Sequence, residues 1–294
     1  MAITVGMVSL GCSKNRVDSE QILGMLKENG FEITNDEAQA EVIIVNTCGF
    51  INPAKEESIG AILEMAQHKK GGNCRLLVVT GCLSQRYPKE LREELPEGDI
   101  FWGVKDKDGL VRKITEAVGG SYKCCSEDAR IITTPSYSAY LRIADGCDNR
   151  CTYCAIPLIR GGKVSIPMEK LVKEAESLAD SGVKELTLIA HDTSAYGTDI
   201  YGKPMLAELM RRIAKIDKLH WIRVLYSYPN TIDEELVDTM VADPKIVNYI
   251  DIPIQHIDPD MLKAMNRHGS AEHIREITDY IRRTAPDFIL RTTV

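Results

Sequence analysis

Short apolar runs alternate with amphipathic stretches along the first 120 residues. The apolar runs cover residues 3–10, 42–46, 76–80 and 99–103, and the amphipathic stretches cover residues 17–29, 53–68, 85–94 and 106–118. Nearly continuous Val, Ile and Leu runs separated by helices are typical of a parallel sheet covered on both faces. We therefore predict an N-terminal α/β domain over residues 1–120, followed by a polar linker over residues 121–138.

A second alternating series begins at residue 139. Its predicted strands cover residues 140–144, 185–190, 221–226, 249–253 and 288–294, and its predicted helices cover residues 167–180, 204–216, 233–241 and 271–284. Five βα-type units favour a barrel or partial barrel, in which functional loops follow the carboxyl ends of the strands. The sequence stops inside the last predicted strand, so we expect residues 139–294 to form an incomplete (βα) partial barrel.

Composition narrows the functional classes. The chain has 294 residues, a net charge of -7 and nine cysteines. An acidic chain has no general attraction to nucleic acid, and no apolar run approaches the roughly 18 residues that span a membrane. The N-terminus carries no signal-peptide pattern. We therefore expect a cytoplasmic protein, in which cysteines serve metal or catalytic roles rather than disulfides.

Three cysteines lie on one polar loop, directly after the first strand of the second series. Cys147, Cys151 and Cys154, here called the loop set, have the spacing Cys-x3-Cys-x2-Cys within DGCDNRCTYC (145–154). Three thiolates on a short loop can bind three irons of a [4Fe–4S] cluster and leave the fourth iron open. A closed zinc site would need a fourth ligand, which the nearby sequence does not offer. We predict a [4Fe–4S] cluster on the loop set.

Three other cysteines each follow directly on a predicted strand of the first series. Cys12, Cys48 and Cys82, here called the strand-end set, are separated by about the length of one βα unit. The carboxyl ends of parallel strands meet at one edge of a sheet, so we expect these thiols to converge. Buried cysteine is also ordinary in α/β cores, but three at equivalent strand ends favour a second [4Fe–4S] cluster.

The spacing of the loop set, with an aromatic residue before the last cysteine, resembles the signature of the radical S-adenosylmethionine (SAM) superfamily. The resemblance implies that SAM binds the open iron and is cleaved reductively to a 5′-deoxyadenosyl radical. It also sharpens the expected fold class, which is α/β: an N-terminal parallel α/β sheet domain followed by an incomplete radical SAM (βα) partial barrel.

The two cysteine sets together resemble the radical SAM methylthiotransferase family over essentially the whole chain. The segment SLGCSKNRVDSE (9–20) resembles the RimO-type branch, which modifies an aspartate of a small-subunit ribosomal protein. Further matching segments are AIPLIRG (155–161), YSYP (226–229), DIPIQH (251–256) and AMNR (264–267). The resemblance implies an enzyme that adds a methylthio group to the β-carbon of that aspartate.

The family implies a division of labour between the two sets. One SAM would supply a methyl group to sulfur at the strand-end set, and another SAM at the loop set would generate the radical that takes hydrogen from the substrate. The implied cofactors are two [4Fe–4S] clusters and SAM. The implied partners are a small-subunit ribosomal protein and a reductant such as flavodoxin or ferredoxin. We expect no membrane partner, no strong nucleic-acid signal and a monomer.

Four further residues are predicted to bind the cofactor. The resemblance implies that Tyr153 lies near the adenine of SAM and that Arg160 contacts the cofactor, although Tyr153 could equally be a packing aromatic at the barrel mouth. Gln255 follows a barrel strand, where it could contact the cofactor or stabilise the loop. Arg291 could pair with the carboxylate of SAM or form a structural salt bridge.

Family members continue past the last strand into a small β-barrel that holds the substrate. This sequence lacks that barrel, so we expect a truncation at the C-terminus. Two other functions remain open. A transfer-RNA adenosine methylthiotransferase predicts a basic, aromatic substrate surface, and a non-enzymatic two-cluster electron carrier or sensor predicts no cleavage of SAM.

Overall fold

The computed structural model describes residues 2–294, which divide into two compact units. Unit 1 contains the described residues up to Thr133 together with Leu158–Arg160, and unit 2 contains Thr134–Pro157 and Gly161–Val294. Each unit has its own parallel sheet. The α/β fold class predicted from the alternating pattern is therefore confirmed.

Unit 1 is built on a five-stranded parallel sheet in the order β2-β1-β3-β4-β5. Its elements are β1 (Thr4–Ser9), α1 (Ser13–Glu28), β2 (Glu32–Ile33), β3 (Val42–Thr47), α2 (Asn52–Ala66), α3 (His68–Gly71), β4 (Leu76–Gly81), α4 (Cys82–Arg86), α5 (Pro88–Glu94), β5 (Ile100–Phe101) and α6 (Lys107–Ala117). The four predicted strands form β1, β3, β4 and β5. The short β2 was not predicted, because it has no apolar run to mark it.

Helices cover both faces of this sheet. Successive strand residues point to opposite faces, so Val42 and Ile44 join the apolar cluster that includes α1 and α6, while Ile43 and Val45 join the cluster that includes α2. Every residue of β3 is buried. A strand buried on both faces must be apolar at consecutive positions, which explains why β3 has a continuous apolar run rather than an alternating pattern.

The register of the sheet aligns the ends of the three strands that carry the strand-end set. Ser9 pairs with Asn46, and Asn46 pairs with Thr80. Cys12 is the N-cap of α1, and Cys82 is the first residue of α4. The strand-to-helix connections at β1 and β4 are therefore very short, and they hold these cysteines close to the edge of the sheet.

The polar segment predicted as a linker belongs to unit 1 as far as Thr133. Glu20 on α1 is fully buried, and its carboxylate accepts hydrogen bonds from Arg130 at 2.6 Å and from the backbone N–H of Thr133 at 2.8 Å. A buried carboxylate needs such partners. Glu20 thereby fixes this segment on unit 1, an arrangement that polar composition alone did not reveal.

Unit 2 contains a three-stranded parallel sheet in the order β10-β9-β6, a parallel pair β11-β12 and an antiparallel pair β7-β8. The elements after α6 are β6 (Ser138–Arg142), β7 (Ala144–Asp145), α7 (Ile156–Ile159), β8 (Val164–Ser165), α8 (Met168–Asp180), β9 (Glu185–Ile189), α9 (Thr198–Tyr201), α10 (Leu206–Ala214), β10 (Trp221–Val224), a 3-10 turn (Pro229–Thr231), α11 (Glu234–Ala242), β11 (Tyr249–Asp251), α12 (Pro259–Ala264), α13 (Ala271–Thr284) and β12 (Ile289–Arg291). All five strands and four long helices predicted for this half are present.

Two differences from the predicted elements of unit 2 have local causes. The strand expected over residues 221–226 ends at Val224, because Tyr226 has φ +65°, which a strand does not accommodate. Helix α12 was not predicted, although Asp258 caps it by accepting from the N–H of Met261 at 3.1 Å and Pro259 occupies its first position. No helix among residues 2–294 is long and apolar enough to cross a membrane.

Candidate functional site

The strand-end set comes together at one edge of the unit 1 sheet. All three cysteines are free of disulfides; Cys82 is buried, Cys48 is half-buried and Cys12 is exposed. The pKa of the Cys82 thiol is raised to about 11, mainly by burial and to a smaller extent by the nearby thiols of Cys12 and Cys48. A Cβ at Gly11, next to Cys12, would lie 3.2 Å from Sγ of Cys48, and one at Gly49, next to Cys48, would lie 2.9 Å from the carbonyl oxygen of Cys82. The backbone beside each of these cysteines therefore packs against the next one, and a shared cluster on the three thiols stays a prediction.

Glycines let the backbone pass close to these thiols. Gly11 has φ +85°, and a Cβ there would lie 2.9 Å from Cβ of Cys48. Gly81 has φ +101°, and a Cβ there would lie 2.4 Å from Oδ1 of Asn46. Any larger residue would therefore be strained and would also collide with its neighbours.

Two buried asparagines tie the three strand ends together. The side-chain amide of Asn15 donates to the carbonyls of Leu10 and Thr47, both at 2.9 Å. The amide of Asn46 donates to the carbonyl of Asn15 at 2.9 Å and to Oγ of Ser19 at 2.8 Å. Satisfied polar networks of this kind specify a single arrangement. They hold the loops that carry Cys12 and Cys48 in fixed positions.

A buried ion network lies against Cys82. The Asp18 carboxylate accepts from Arg160 at 2.8 Å and from Lys107 at 3.0 Å. Arg160 also donates to Oδ1 of Asn15 at 3.0 Å and to Sγ of Cys82 at 3.6 Å. The guanidinium lowers the pKa of the Cys82 thiol, against the larger effect of burial. Arg160, predicted as a cofactor contact, thus lies within unit 1 beside the strand-end set.

The loop set occupies a tight turn in unit 2. Gly146 has φ +70°, and a Cβ there would lie 2.0 Å from the carbonyl oxygen of Gly162. The N–H of Cys147 donates to the carbonyl of Gly161 at 3.1 Å, and the N–H of Cys154 donates to the carbonyl of Cys151 at 3.0 Å. The first bond holds the start of the loop against Gly161, and the second closes a tight turn between Cys151 and Cys154.

Neighbouring segments of unit 2 hold this loop from outside. The amide of Asn149 donates to Asp192 at 2.8 Å, and the amide of Asn266 donates to the carbonyl of Arg150 at 2.9 Å. Burial raises the pKa of Asp192, because the hydrogen bonds it accepts only partly offset the loss of water. The loop is therefore fixed by side chains far from it in sequence.

Arg267 contacts a sulfur of the loop set. Its guanidinium donates to Sγ of Cys151 at 3.7 Å and to the Tyr153 hydroxyl at 2.9 Å, and it lies 4.5 Å from the centre of the Tyr228 ring. Burial raises the pKa of Tyr228 to about 12, so this phenol is neutral. The sequence motif AMNR contains Arg267, but its role was not predicted, because nothing in the sequence connects residue 267 with residue 151.

Each donor set fits an iron–sulfur cluster. Both sets consist of three free thiols, and burial raises the pKa of Cys147 to about 11 and also raises that of Cys154. Such thiols release protons when they bind metal. Among residues 2–294, no three His, Cys, Asp or Glu side chains are grouped to hold a single metal ion. A cluster presents several irons to its ligands, so its thiolates need not converge on one point.

The other predicted cofactor residues lie at the strand ends of unit 2. Tyr153 accepts from Arg267 and remains 47% exposed. Gln255 has φ +67° and donates its N–H to the carbonyl of Thr293 at 2.8 Å. Arg291 is an exposed partner of Asp251 at 3.4 Å. The sequence did not predict the roles of Asn15 and Asp18, whose partners appear only in the folded chain.

Family comparisons agree with the two units. The Radical SAM superfamily matches residues 141–294, and the family described as Uncharacterized protein family UPF0004 matches residues 4–103. Because the radical SAM match covers more than half of the chain, including the cysteine loop, the chain belongs to the radical SAM superfamily, whose cofactors are SAM and an iron–sulfur cluster.

Curated relatives define the family further. The chain is 48% identical over 296 residues to the ribosomal protein uS12 methylthiotransferase RimO of Lachnoclostridium phytofermentans. This alignment covers 98% of this chain and 67% of the relative. It is 50% identical over 299 residues to RimO of Clostridium botulinum, with 98% and 67% covered. It is 49% identical over 303 residues to RimO of Caldicellulosiruptor saccharolyticus, with 99% and 69% covered. The chain belongs to the RimO family of radical SAM methylthiotransferases.

Solved structures share the fold. TsrM from Kitasatospora setae, a radical SAM methyltransferase solved with cobalamin and a [4Fe-4S] cluster, has a TM-score of 0.65 at 16% identity, covering 99% of this chain and 68% of TsrM. The cobalamin-dependent SAM radical enzyme OxsB has a TM-score of 0.66 at 14% identity, covering 99% and 49%. At these identities the likeness concerns the fold alone. The radical SAM resemblance predicted from the loop set is confirmed by the superfamily match over residues 141–294 and by the RimO relatives.

Proposed function

We propose that this protein adds a methylthio group to the β-carbon of an aspartate in ribosomal protein uS12. Its RimO relatives are named for methylthiotransfer to uS12, and they align with nearly the whole chain. The observation that carries the proposal is the position of the strand-end set at the aligned ends of three neighbouring parallel strands. A generic radical generator needs only the loop set, whereas sulfur insertion needs a second site that holds sulfur.

Each set would hold one [4Fe–4S] cluster. The loop set would leave one iron open for SAM. When bound there, the cluster supplies the electron that cleaves SAM, and the strand-end cluster supplies the site at which sulfur is methylated. The protein contributes ligation, orientation and exclusion of water.

The residues around the strand-end set would fix the ligands before a cluster binds. Asn15 and Asn46 hold the strand ends, while Arg160 lies against Cys82 and balances thiolate charge. Charge-assisted hydrogen bonds to a ligand sulfur favour its deprotonated form. In this proposal Arg160 serves the strand-end cluster.

Tyr153, Gln255 and Arg291 would serve SAM on unit 2. The half-exposed ring of Tyr153 directly precedes a loop-set ligand, which suits contact with the adenine. Gln255 and Arg291 follow or end parallel strands, where barrel enzymes bind substrate. The electron would come from a low-potential donor such as flavodoxin or ferredoxin. The substrate would be the uS12 protein, and the chain would act as a monomer.

Anaerobic reconstitution tests the two-cluster assignment. We expect about eight irons per chain, a sum of two four-iron clusters, and reductive release of 5′-deoxyadenosine from SAM. Replacing the strand-end set with Ala should halve the iron and spare SAM cleavage. An iron content near four in the unmodified chain would refute the second cluster, and failure to cleave SAM would favour an electron carrier.

Mass spectrometry tests the substrate. The protein would be incubated with SAM, sulfide, a reductant and either uS12 or transfer RNA. We expect a methylthio group on a uS12 aspartate and none on adenosine. Modification of adenosine alone would overturn the proposed substrate while leaving the methylthiotransferase activity in place.

A further inference from the structure

Arg267 is a buried cation whose partners are all neutral. It is only 9% exposed, and its guanidinium contacts the Tyr153 hydroxyl, the carbonyl of Pro253 and the ring of Tyr228. Within residues 2–294, no Asp or Glu forms an ion pair with it. Burying a charge without an opposite charge is costly. The position of Arg267 therefore calls for an anion.

The other buried arginines show the contrast. Arg160 meets Asp18 at 2.8 Å, and Arg142 lies 3.8 Å from Asp145. Each of these guanidinium groups faces a carboxylate of its own unit. Arg267 instead faces a sulfur, Sγ of Cys151, at 3.7 Å.

The anion that fits Arg267 is the loop set with its cluster bound. The positive charge of Arg267 acts on the thiols of both Cys151 and Cys154. Three thiolates around a four-iron cluster give an anionic assembly, and cluster potentials depend on net charge and on hydrogen bonds to sulfur. A cation fixed beside one ligand stabilises the more negative state of that assembly.

We propose that Arg267 is a positioning residue that acts through Cys151 to raise the reduction potential of the cluster on the loop set. This inference rests on the proposed function, because it requires a cluster there. Reduction transfers one electron from a one-electron donor of the flavodoxin or ferredoxin class and adds one negative charge to the cluster. Arg267 favours this reduced state because its own charge is not already neutralised by a carboxylate.

The test is a redox titration followed by electron paramagnetic resonance on the full chain. The strand-end set is replaced with Ala in every sample, so that one cluster remains. At the midpoint potential of the parent, Arg267→Gln should lower the ratio of reduced to oxidised cluster by about tenfold or more. For a one-electron couple this corresponds to a reduction potential that is lower by about 59 mV. Arg267→Lys should keep most of the potential. Arg283→Gln, which removes an exposed charge from α13, should leave it unchanged.

A second pair of variants tests the same charge without removing Arg267. Tyr228→Glu would place a carboxylate against the guanidinium, whereas Tyr228→Gln gives a neutral side chain of similar size. We expect a lower potential in the Glu variant than in the Gln variant. Equal potentials in this pair, or in Arg267→Gln and the parent, would overturn the inference.

Cluster loss is also informative. Loss of iron in Arg267→Gln but not in Arg267→Lys would support the need for a charge at this position. Loss of iron in both would overturn the electrostatic role, since a charge-preserving change would then be as harmful as a neutral one. If the parent with an intact loop set binds no iron, the proposed function itself fails, which separates the two failures.

Discussion

The two cysteine sets are each contacted by one buried arginine, but the charges around them are arranged differently. Arg160 reaches Cys82 at 3.6 Å while paired with Asp18, whereas Arg267 reaches Cys151 at 3.7 Å with neutral partners only. An arginine that is paired with a carboxylate orders its surroundings, but the carboxylate partly cancels its electrostatic field at the sulfur. An arginine with no carboxylate partner exerts its full electrostatic field on the sulfur. Similar contacts can therefore have different electrostatic consequences.

The two sets also depend on different levels of structure. The loop set is defined by spacing within ten residues and by a turn at Gly146. The strand-end set exists only because three parallel strands are aligned in register, as the pairing of Ser9 with Asn46 and of Asn46 with Thr80 records. Damage to the sheet should therefore destroy one site and spare the other.

Glycine substitutions should separate the sites with the largest effect. Gly81→Ala would add a Cβ 2.4 Å from Asn46 at φ +101°, and Gly146→Ala would add one 2.0 Å from the Gly162 carbonyl at φ +70°. Strain and overpacking together should cost about 2–6 kcal/mol of unfolding free energy. Iron analysis after reconstitution should show loss from the strand-end set alone in the first variant and from the loop set alone in the second.

Gly182→Ala is the matched control for these variants. Its φ is +110°, but nothing lies within 4 Å of the added Cβ. It should cost only the backbone strain, about 1–2 kcal/mol, and keep all the iron. An equal loss of iron in the three variants would show that strain, not contact with the sites, is responsible.

Asp18→Ala should be the next largest change. It would leave Arg160 and Lys107 without their shared carboxylate inside unit 1. Breaking a buried ion pair costs about 3–5 kcal/mol, which urea unfolding would measure. Glu93→Ala, at an exposed position, should change stability by no more than about 0.5 kcal/mol. Because no Asp or Glu within residues 2–294 pairs with Arg267, there is no equivalent ion pair to break beside Cys151.

The buried carboxylate of Asp192, beside the loop set, should make the stability of the folded chain depend on pH. Asp192 has its pKa raised by burial in the folded chain, while its unfolded value is about 3.9. Its favourable contribution is therefore complete below about pH 4 and is lost as pH rises through the folded pKa. Urea unfolding from about pH 4 upward should show a decline for the parent chain that Asp192→Asn lacks. Parallel curves would contradict the assignment.

Arg291→Gln should have the smallest effect on stability. The Arg291 side chain is 59% exposed and lies 3.4 Å from Asp251, whose own side chain is buried. Solvent around the exposed guanidinium screens its attraction to the buried carboxylate of Asp251, so the pair should contribute no more than about 1 kcal/mol. A calorimetric shift larger than that would mean that Arg291 has a structural role beyond this pair.

Much of the fold could be predicted from the sequence because burial on both sheet faces leaves a strong apolar pattern. Strand β3 is an example, since all of its residues are buried and all but the last two are Val or Ile. Elements with weak patterns were missed. The two residues of β2 form no run, and α12 is marked only by the cap at Asp258 and by Pro259.

The ligands of the candidate site could be predicted, but most of their supporting residues could not. Cysteine spacing and the ends of apolar strands can be identified in the amino-acid sequence itself. The contacts of Asn15 with Thr47, of Arg160 with Asp18 and of Arg267 with Cys151 join residues that are 32 or more positions apart. Such partners become evident only after the sheet order and the loop path are known, because polar residues carry no periodic signal of their own.

The most direct test of the account compares two triple variants of the protein, one for each cysteine set. Products formed from SAM and uS12 would be measured together by mass spectrometry. With the strand-end set changed to Ala, we predict release of 5′-deoxyadenosine and no methylthio group on uS12; with the loop set changed to Ala, we predict neither product. Methylthiolated uS12 from the variant without Cys12, Cys48 and Cys82 would contradict the division of labour between the two sets.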